Sequence, residues 1–134
     1  MAHMRILIAE DDAIIAYLLG ETLRAMGHEV CATEDTEVGA IAAAGRCKPD
    51  LMILDEHLAP GSGVGVAEKV LRGGTVAHIF VSGDAARIRR LMPGAVVVEK
   101  PYRETDLARA MRHAMKCVGA ATVPQDALDA RFPS

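Results

Sequence analysis

The sequence predicts an α/β protein whose parallel sheet is covered by helices on both faces. Short apolar runs of strand length alternate five times with segments that carry apolar residues at helical spacing. Each short run is apolar throughout, which is the pattern of strands that are buried on both faces. The chain has 134 residues, of which 51% are hydrophobic and 25% charged, as expected for one domain with its own core.

The first half of the chain supplies three predicted strands and two predicted helices. The apolar runs RILIA at 5–9, HEVCAT at 28–33 and DLMILD at 50–55 predict the strands. Segment 12–26 carries an apolar stripe at three- and four-residue spacing and stops at a glycine, which predicts a helix. Segment 36–46 is rich in alanine, which predicts a second helix. A proline shortly after the segment predicts where this helix ends.

The second half repeats this alternation with a shorter central helix. Apolar runs at 77–82 and 95–98 predict the fourth and fifth strands, and segments 64–72 and 104–117 predict helices. Residues 83–95 leave room for only about two helical turns. We therefore expect the fourth helix to be short, displaced or disordered.

Both ends of the chain are expected to lie outside the domain. Residues 1–3 resemble a cloning remnant, residues 4–118 form the predicted domain, and the polar, proline-containing segment 119–134 predicts a flexible tail.

The composition excludes several classes of function. A net charge of −3 without a long basic block argues against a nucleic-acid partner. No apolar run approaches the roughly 18 residues of a membrane helix, and the start does not resemble a secretion signal. The three cysteines and five histidines show no metal-site spacing. We expect a cytoplasmic protein with reduced thiols and no membrane partner.

Polar residues collect where the predicted strands end. Parallel sheets bind ligands at the carboxyl ends of their strands, so these residues are expected to share one edge. They are Glu10, Asp11 and Asp12 after strand one, Asp55 after strand three, Ser82 and Gly83 after strand four, and Glu99, Lys100 and Pro101 after strand five.

These residue types together point to phosphoryl transfer. Two carboxylates about 5 Å apart repel by about 3 kcal/mol at an effective dielectric near 20, so a cluster of Glu10, Asp11 and Asp55 should attract a hard cation. Oxygen ligands favour Mg²⁺, with Mn²⁺ as a substitute. One carboxylate can then attack phosphorus, while Lys100 and the Ser82 hydroxyl stabilise the phosphoryl oxygens.

In order along the chain, the segments ILIAEDD, LMILDEHL, FVSGDA and VVEKP resemble the receiver domain of two-component response regulators. The resemblance covers residues 4 to about 118 and implies a flavodoxin-like fold with strand order 2-1-3-4-5. The chain looks like the group of stand-alone receivers with a FATG-like motif at strand four, although IFVSG at 79–83 matches that motif loosely. The usual proline after the loop leucine is shifted to Pro60.

The resemblance implies a phosphoacceptor and a metal site. Asp55 matches the phosphoacceptor, and Glu10 and Asp11 match the acidic pair that holds Mg²⁺. The backbone carbonyl that completes the metal site falls on His57.

The resemblance also implies the groups that respond to the phosphoryl group. Ser82, followed by Gly83, matches the residue whose hydroxyl moves onto the phosphoryl group, and Lys100 matches the lysine that binds it. The peptide bond between Lys100 and Pro101 is expected to be cis. Val97 replaces the aromatic residue that usually moves with the hydroxyl, which leaves the mode of switching open.

Each of these residues has a simpler alternative. Asp11 or Asp12 could cap the first helix, Ser82 could be a turn residue, and Lys100 could be a solvated charge. GSGVG at 61–65 lacks both the GKS or GKT ending and the third glycine of a phosphate loop, so we interpret it as a flexible helix start.

Arginines near the fifth strand predict a basic face. The alternative is an ordinary solvated surface, and the sharper hypothesis is a docking face for an acidic partner. The residues are Arg87, Arg89, Arg90, Arg103, Arg109 and Arg112.

The sequence therefore predicts a signalling domain that accepts phosphate from a histidine kinase or a histidine phosphotransfer protein. It would act by binding another protein or as a phosphate sink, and it would catalyse only its own phosphorylation and dephosphorylation. A phosphohydrolase is disfavoured because His57 stands where a second acid would act. A receiver-like scaffold that never takes phosphate is the remaining alternative.

Overall fold

The protein is a five-stranded parallel sheet with helices on both faces. A computed structural model describes residues 3–121. The strand order is β2-β1-β3-β4-β5, and all four strand pairs are parallel. The predicted α/β class, the flavodoxin-like architecture and the strand order are confirmed.

The strands lie within one or two residues of their predicted positions. The fifth strand is shorter than predicted, because the Ala95 N–H donates to the Met92 carbonyl at 3.0 Å and closes a turn before pairing with β4 begins. The bounds are β1 Arg5–Ala9, β2 Glu29–Glu34, β3 Leu51–Asp55, β4 Ala77–Ser82 and β5 Val97–Glu99.

The five helices also follow the prediction, with one change at the carboxyl end. The fourth helix is short, as expected, and forms an ordered segment of 7 residues. The last helix continues past residue 117, so the first residues of the predicted tail are helical; residues 122–134 of that tail lie outside the described residues, as do residues 1–2. The bounds are α1 Ala13–Ala25, α2 Glu37–Cys47, α3 Gly63–Leu71, α4 Ala85–Leu91 and α5 Glu104–Ala121.

Two apolar layers enclose the sheet. Alternate residues of β1 face opposite layers: Ile6 and Ile8 pack with α1 and α5, whereas Leu7 packs with α2 and α3. Every residue of β3 is buried, which is why its sequence is apolar without alternation. Asp55 therefore stands at the end of a fully buried central strand.

The segment 61–65 is the start of α3. The Ser62 side chain accepts a hydrogen bond from the Gly65 N–H at 3.0 Å, which caps the helix. A side chain at Gly63 would collide with the backbone carbonyl oxygen of Asp55, so this glycine lets the helix approach the strand end closely. The helix-start interpretation agrees with this geometry.

Cys31, Cys47 and Cys117 are free thiols. Within residues 3–121, none of the helices combines the length and the hydropathy needed to cross a bilayer.

Candidate functional site

Three acids meet at the carboxyl ends of β1 and β3. Glu10, Asp11 and Asp55 each place a carboxylate oxygen within 4.8 Å of the others. Glu10 and Asp55 are buried, with 6% and 5% exposed, whereas Asp11 is open to solvent. A cluster of oxygen donors with one solvent-facing side suits a cation that keeps some of its waters, as Mg²⁺ does.

Asp55 is held on both of its carboxylate oxygens. The Lys100 ammonium donates to Asp55 Oδ2 at 3.0 Å, and the His57 N–H donates to Oδ1 at 3.0 Å. The backbone of Lys100 is held in turn, because its N–H donates to the Ser82 carbonyl at 2.8 Å. The Lys100–Pro101 peptide bond is cis, as the resemblance implied.

The acids differ in their affinity for a proton. Burial, reinforced by the neighbouring Asp55 carboxylate, raises the pKa of Glu10 to about 8. Burial also opposes ionisation of Asp55, but hydrogen bonds from the Glu10 carboxyl group, the His57 N–H and Lys100 outweigh it and lower the pKa of Asp55. Asp55 is therefore the ionised member of the pair, which is the form that a nucleophile requires.

Lys100 is the cation that balances this charge. Burial works against its ammonium form, but the hydrogen bond and the charge of Asp55 outweigh burial and raise the pKa of Lys100. The lysine side chain remains 38% exposed, so it can also reach a group that arrives from solvent.

The three consecutive acids divide into two roles. The Asp12 side chain accepts from the Ile14 N–H at 2.9 Å and from the Ile15 N–H at 3.1 Å, so it caps α1. Asp11 lies in the acid cluster with Glu10 and Asp55, and Glu10 Oε1 also accepts from the Asp12 N–H at 3.2 Å. The capping alternative thus describes Asp12, while Asp11 keeps its predicted place beside Asp55.

A second network on the same rim was not predicted from the sequence. Ser82 Oγ donates to Glu56 Oε2 at 2.5 Å, and Arg87 Nη1 donates to Glu56 Oε1 at 2.6 Å. Glu56 and Ser82 are buried, with 5% and 1% exposed. Glu56 was missed because an acid in a loop ordinarily faces solvent; the only sequence signal was its position directly after Asp55.

The remaining predicted site residues lie around these two networks. The His57 side chain is 76% exposed, and the role of its carbonyl stays a prediction. Gly83 is exposed beside Ser82. Val97 is half-buried and pairs in register with Phe80, which is fully buried beneath α4. An aromatic residue of β4, Phe80, therefore lies beside Val97 in the sheet.

The six predicted arginines are all exposed, but they are not equivalent. Arg87 forms an ion pair with Glu56. Arg109 Nη1 lies 3.7 Å from Asp106 Oδ1 on the same helix. The docking role of this surface stays a prediction. Its members on α4 are Arg87, Arg89 and Arg90, and those at and along α5 are Arg103, Arg109 and Arg112.

Residues 6–112 match the family model of the response regulator receiver domain. The chain belongs to this family, whose members are signalling domains of two-component systems and work with histidine kinases or phosphotransfer proteins.

Particular relatives support the assignment. The chain is 30% identical over 115 residues to the transcriptional regulatory protein PdtaR of Mycobacterium tuberculosis, covering 83% of this chain and 56% of that protein. It is 32% identical over 123 residues to the KDP operon transcriptional regulatory protein KdpE of Escherichia coli, covering 89% and 54%. The solution structure of the PhyR receiver domain of Erythrobacter litoralis superposes with a TM-score of 0.74 at 30% identity, covering 86% and 92%.

The chain spans about half the length of the curated relatives that it matches. The likeness therefore concerns the receiver domain, and the regulation of transcription in the relatives' names belongs to those proteins. Receiver domains are in general signalling domains without an enzymatic output of their own.

Proposed function

We propose that this domain accepts a phosphoryl group on Asp55 from a phosphohistidine of a histidine kinase or phosphotransfer protein. The observation that supports the proposal is the position of Asp55. Its carboxylate accepts a hydrogen bond from Lys100 at 3.0 Å and lies in a cluster with Glu10 and Asp11. A single carboxylate at the edge of the sheet thus has both a cation-attracting side and a fixed ammonium group.

In the proposed reaction, a carboxylate oxygen of Asp55 attacks phosphorus as the phosphorus–nitrogen bond to the donor histidine breaks. The electron pair of that bond returns to the donor imidazole, and Asp55 becomes an acyl phosphate. Lys100 stabilises the charge on the transferring oxygens. Glu10, Asp11 and Asp55, with the His57 carbonyl, would hold Mg²⁺, which supplies further neutralisation of those oxygens when bound.

The output would be contact with another protein or the storage of phosphate. An acyl phosphate adds negative charge and acceptor oxygens at the rim, and this changes the balance between two conformations. The domain would catalyse its own phosphorylation and hydrolysis, with no further substrate.

The test is phosphorylation by a small donor. Acetyl phosphate, with and without Mg²⁺, is followed by intact mass for wild type, Asp55→Asn and Asp50→Asn. Asp50 lies at the opposite end of the same strand and accepts from the Arg5 N–H at 2.8 Å, so it is a matched acid far from the rim. We expect a Mg²⁺-dependent gain of one phosphoryl group in wild type and Asp50→Asn, and none in Asp55→Asn.

A different outcome would favour the scaffold alternative. If wild type gains no phosphoryl group from acetyl phosphate or from phosphorylated histidine donors, although Mg²⁺ binds, the domain acts as a receiver-like interaction module without phosphorylation.

A further inference from the structure

The Glu56 network, defined as Glu56, Ser82 and Arg87, uses the hydroxyl that the phosphoryl group would need. Ser82 Oγ accepts from the Asp84 N–H at 2.8 Å and donates to Glu56 Oε2 at 2.5 Å. A hydroxyl has a single hydrogen to donate. In this structure that hydrogen is directed to Glu56, so Ser82 cannot donate to a phosphoryl oxygen on Asp55 without first leaving Glu56.

We propose that Glu56 is a positioning residue that holds the Ser82 hydroxyl in the unphosphorylated arrangement and competes with the phosphoryl group for it. The inference rests on the proposed function, since it needs a phosphoryl group on Asp55. Hydrogen bonds to an ionised acceptor are stronger than those between neutral groups, so the competition opposes phosphorylation until the phosphoryl oxygens take over as acceptors.

Arg87 completes the arrangement from the surface. Its guanidinium lies 2.6 Å from Glu56 Oε1, on a carboxylate whose side chain is only 6% exposed, and the arginine itself is 51% exposed. A buried carboxylate needs such a partner, because an unpaired charge away from water is costly. Arg87 thus links the buried acid to the exposed side of α4.

Electrostatic repulsion would favour rearrangement of the Glu56 network after phosphorylation. A phosphoryl group on Asp55 adds negative charge one residue from Glu56 in the chain, and like charges repel. Release of Ser82 would leave Glu56 with Arg87 as its hydrogen-bond donor, and the position of Arg87 would report the change on α4. This route runs through Glu56 and does not require an aromatic side chain at Val97.

The experiment measures binding of the phosphoryl mimic beryllofluoride in saturating Mg²⁺. Glu56→Met removes the competing acceptor and keeps a side chain of similar length, so we expect affinity to rise about tenfold. In a Ser82→Ala background the same substitution should raise the affinity clearly less than tenfold, because no hydroxyl remains to be released and only the removal of the Glu56 charge acts. An equal or weaker affinity in Glu56→Met than in wild type would overturn the proposal.

Variants of two exposed arginines on α4 test the network from its surface side. We expect Arg87→Met to weaken mimic binding about fivefold, because Glu56 then faces the incoming anion without its neutralising partner. Arg89→Met is the matched control on the same helix and should stay within twofold of wild type. When Glu56→Met is already present, Arg87→Met should have the effect of the Arg89 control; an undiminished loss would mean that Arg87 acts on the anion directly, against the proposal.

Amide NMR supplies a readout that a merely structural role would not move. Without any mimic, Glu56→Met should shift the α4 amides in the direction that beryllofluoride shifts them in wild type. If wild type and Glu56→Met both fail to bind the mimic, the proposed function fails and this inference falls with it. If both bind it equally, the proposed function stands and only the role of Glu56 is overturned.

Discussion

Two neighbouring parts of the rim differ in how they are built. The acid–lysine cluster, defined as Glu10, Asp11, Asp55 and Lys100, comes from residues that follow β1 and β5 or end β3. The Glu56 network instead joins a loop acid to a strand-end hydroxyl and a helix arginine. The first part faces solvent through Asp11, whereas the second is closed over a buried carboxylate.

The two parts of the rim would serve different steps, phosphoryl transfer in one and the conformational response in the other. The acid–lysine cluster holds an ionised carboxylate beside an ammonium and a cation-attracting pair, so it is suited to forming the acyl phosphate. The Glu56 network has no group that touches Asp55 through a side-chain hydrogen bond among the described residues, and it connects the rim to α4. Substitutions in the two parts should therefore affect different measurements.

The largest effect should come from breaking the acid–lysine cluster at Lys100. Lys100→Met removes the ammonium that lies 3.0 Å from Asp55, and we expect the rate of phosphorylation by acetyl phosphate to fall about 100-fold. Lys69→Met is the matched control, because Lys69 also pairs with an acid, Glu37, at 2.7 Å but on the surface between α2 and α3. The rate is measured by intact mass against time.

Similar phosphorylation rates in Lys100→Met and Lys69→Met would contradict this prediction. In that case the ammonium beside Asp55 would be a structural charge, and stabilisation of the phosphoryl oxygens would have to come from elsewhere on the rim.

The sequence was sufficient for the acid–lysine cluster because strand ends have a fixed place in a parallel sheet. Apolar runs located β1 and β3, and the sheet geometry then brought Glu10 and Asp55 to one edge. The β5 boundary was less predictable, because a hydrogen bond from the Ala95 N–H to Met92 decides where the turn stops.

The Glu56 network could not be predicted in the same way. The contact between Glu56 and Arg87 joins residues 31 positions apart and depends on where the short helix α4 lies. Helix periodicity placed residues 83–95 only loosely, and the identity of an acid in a loop says nothing of its burial. Whether Asp11 or Asp12 caps α1 was left open for a related reason: either carboxylate could do so, and only the distances from Asp12 to the Ile14 and Ile15 N–H groups decide.

Glu10 should make the free energy of unfolding depend on pH. Its pKa is raised to about 8 in the folded protein from an ordinary value of 4.5, so the folded state binds the proton more tightly than the unfolded state. The stabilisation is complete below about pH 4.5 and is lost as pH rises towards 8. In chelator, the free energy of unfolding should fall across this window by less than about 1.4 kcal/mol per pH unit, since Asp55 shares the proton.

Urea unfolding between pH 5 and 8 measures this slope in wild type and Glu10→Gln. The variant should lack the decline. Burial lowers the pKa of His28, so its effect on the free energy of unfolding has the opposite pH dependence to that of Glu10. The His28 contribution is fully present above the ordinary pKa of 6.5 and is lost as pH falls. It is common to both proteins and cancels in their difference. Parallel curves for the two proteins would show that Glu10 does not hold the proton.

The smallest expected effects distinguish two adjacent acids, Asp11 in the acid–lysine cluster and Asp12 at the start of α1. Asp11→Ala should weaken Mg²⁺ binding about tenfold with little change in stability, because it removes an exposed ligand. Asp12→Ala should lower the free energy of unfolding by about 1 kcal/mol with little change in Mg²⁺ affinity, because it removes the cap. Mg²⁺ titration by NMR and urea unfolding measure both. If Asp12→Ala weakened Mg²⁺ as much as Asp11→Ala does, the acid–lysine cluster would extend into the helix start, and the division between binding and capping would be wrong.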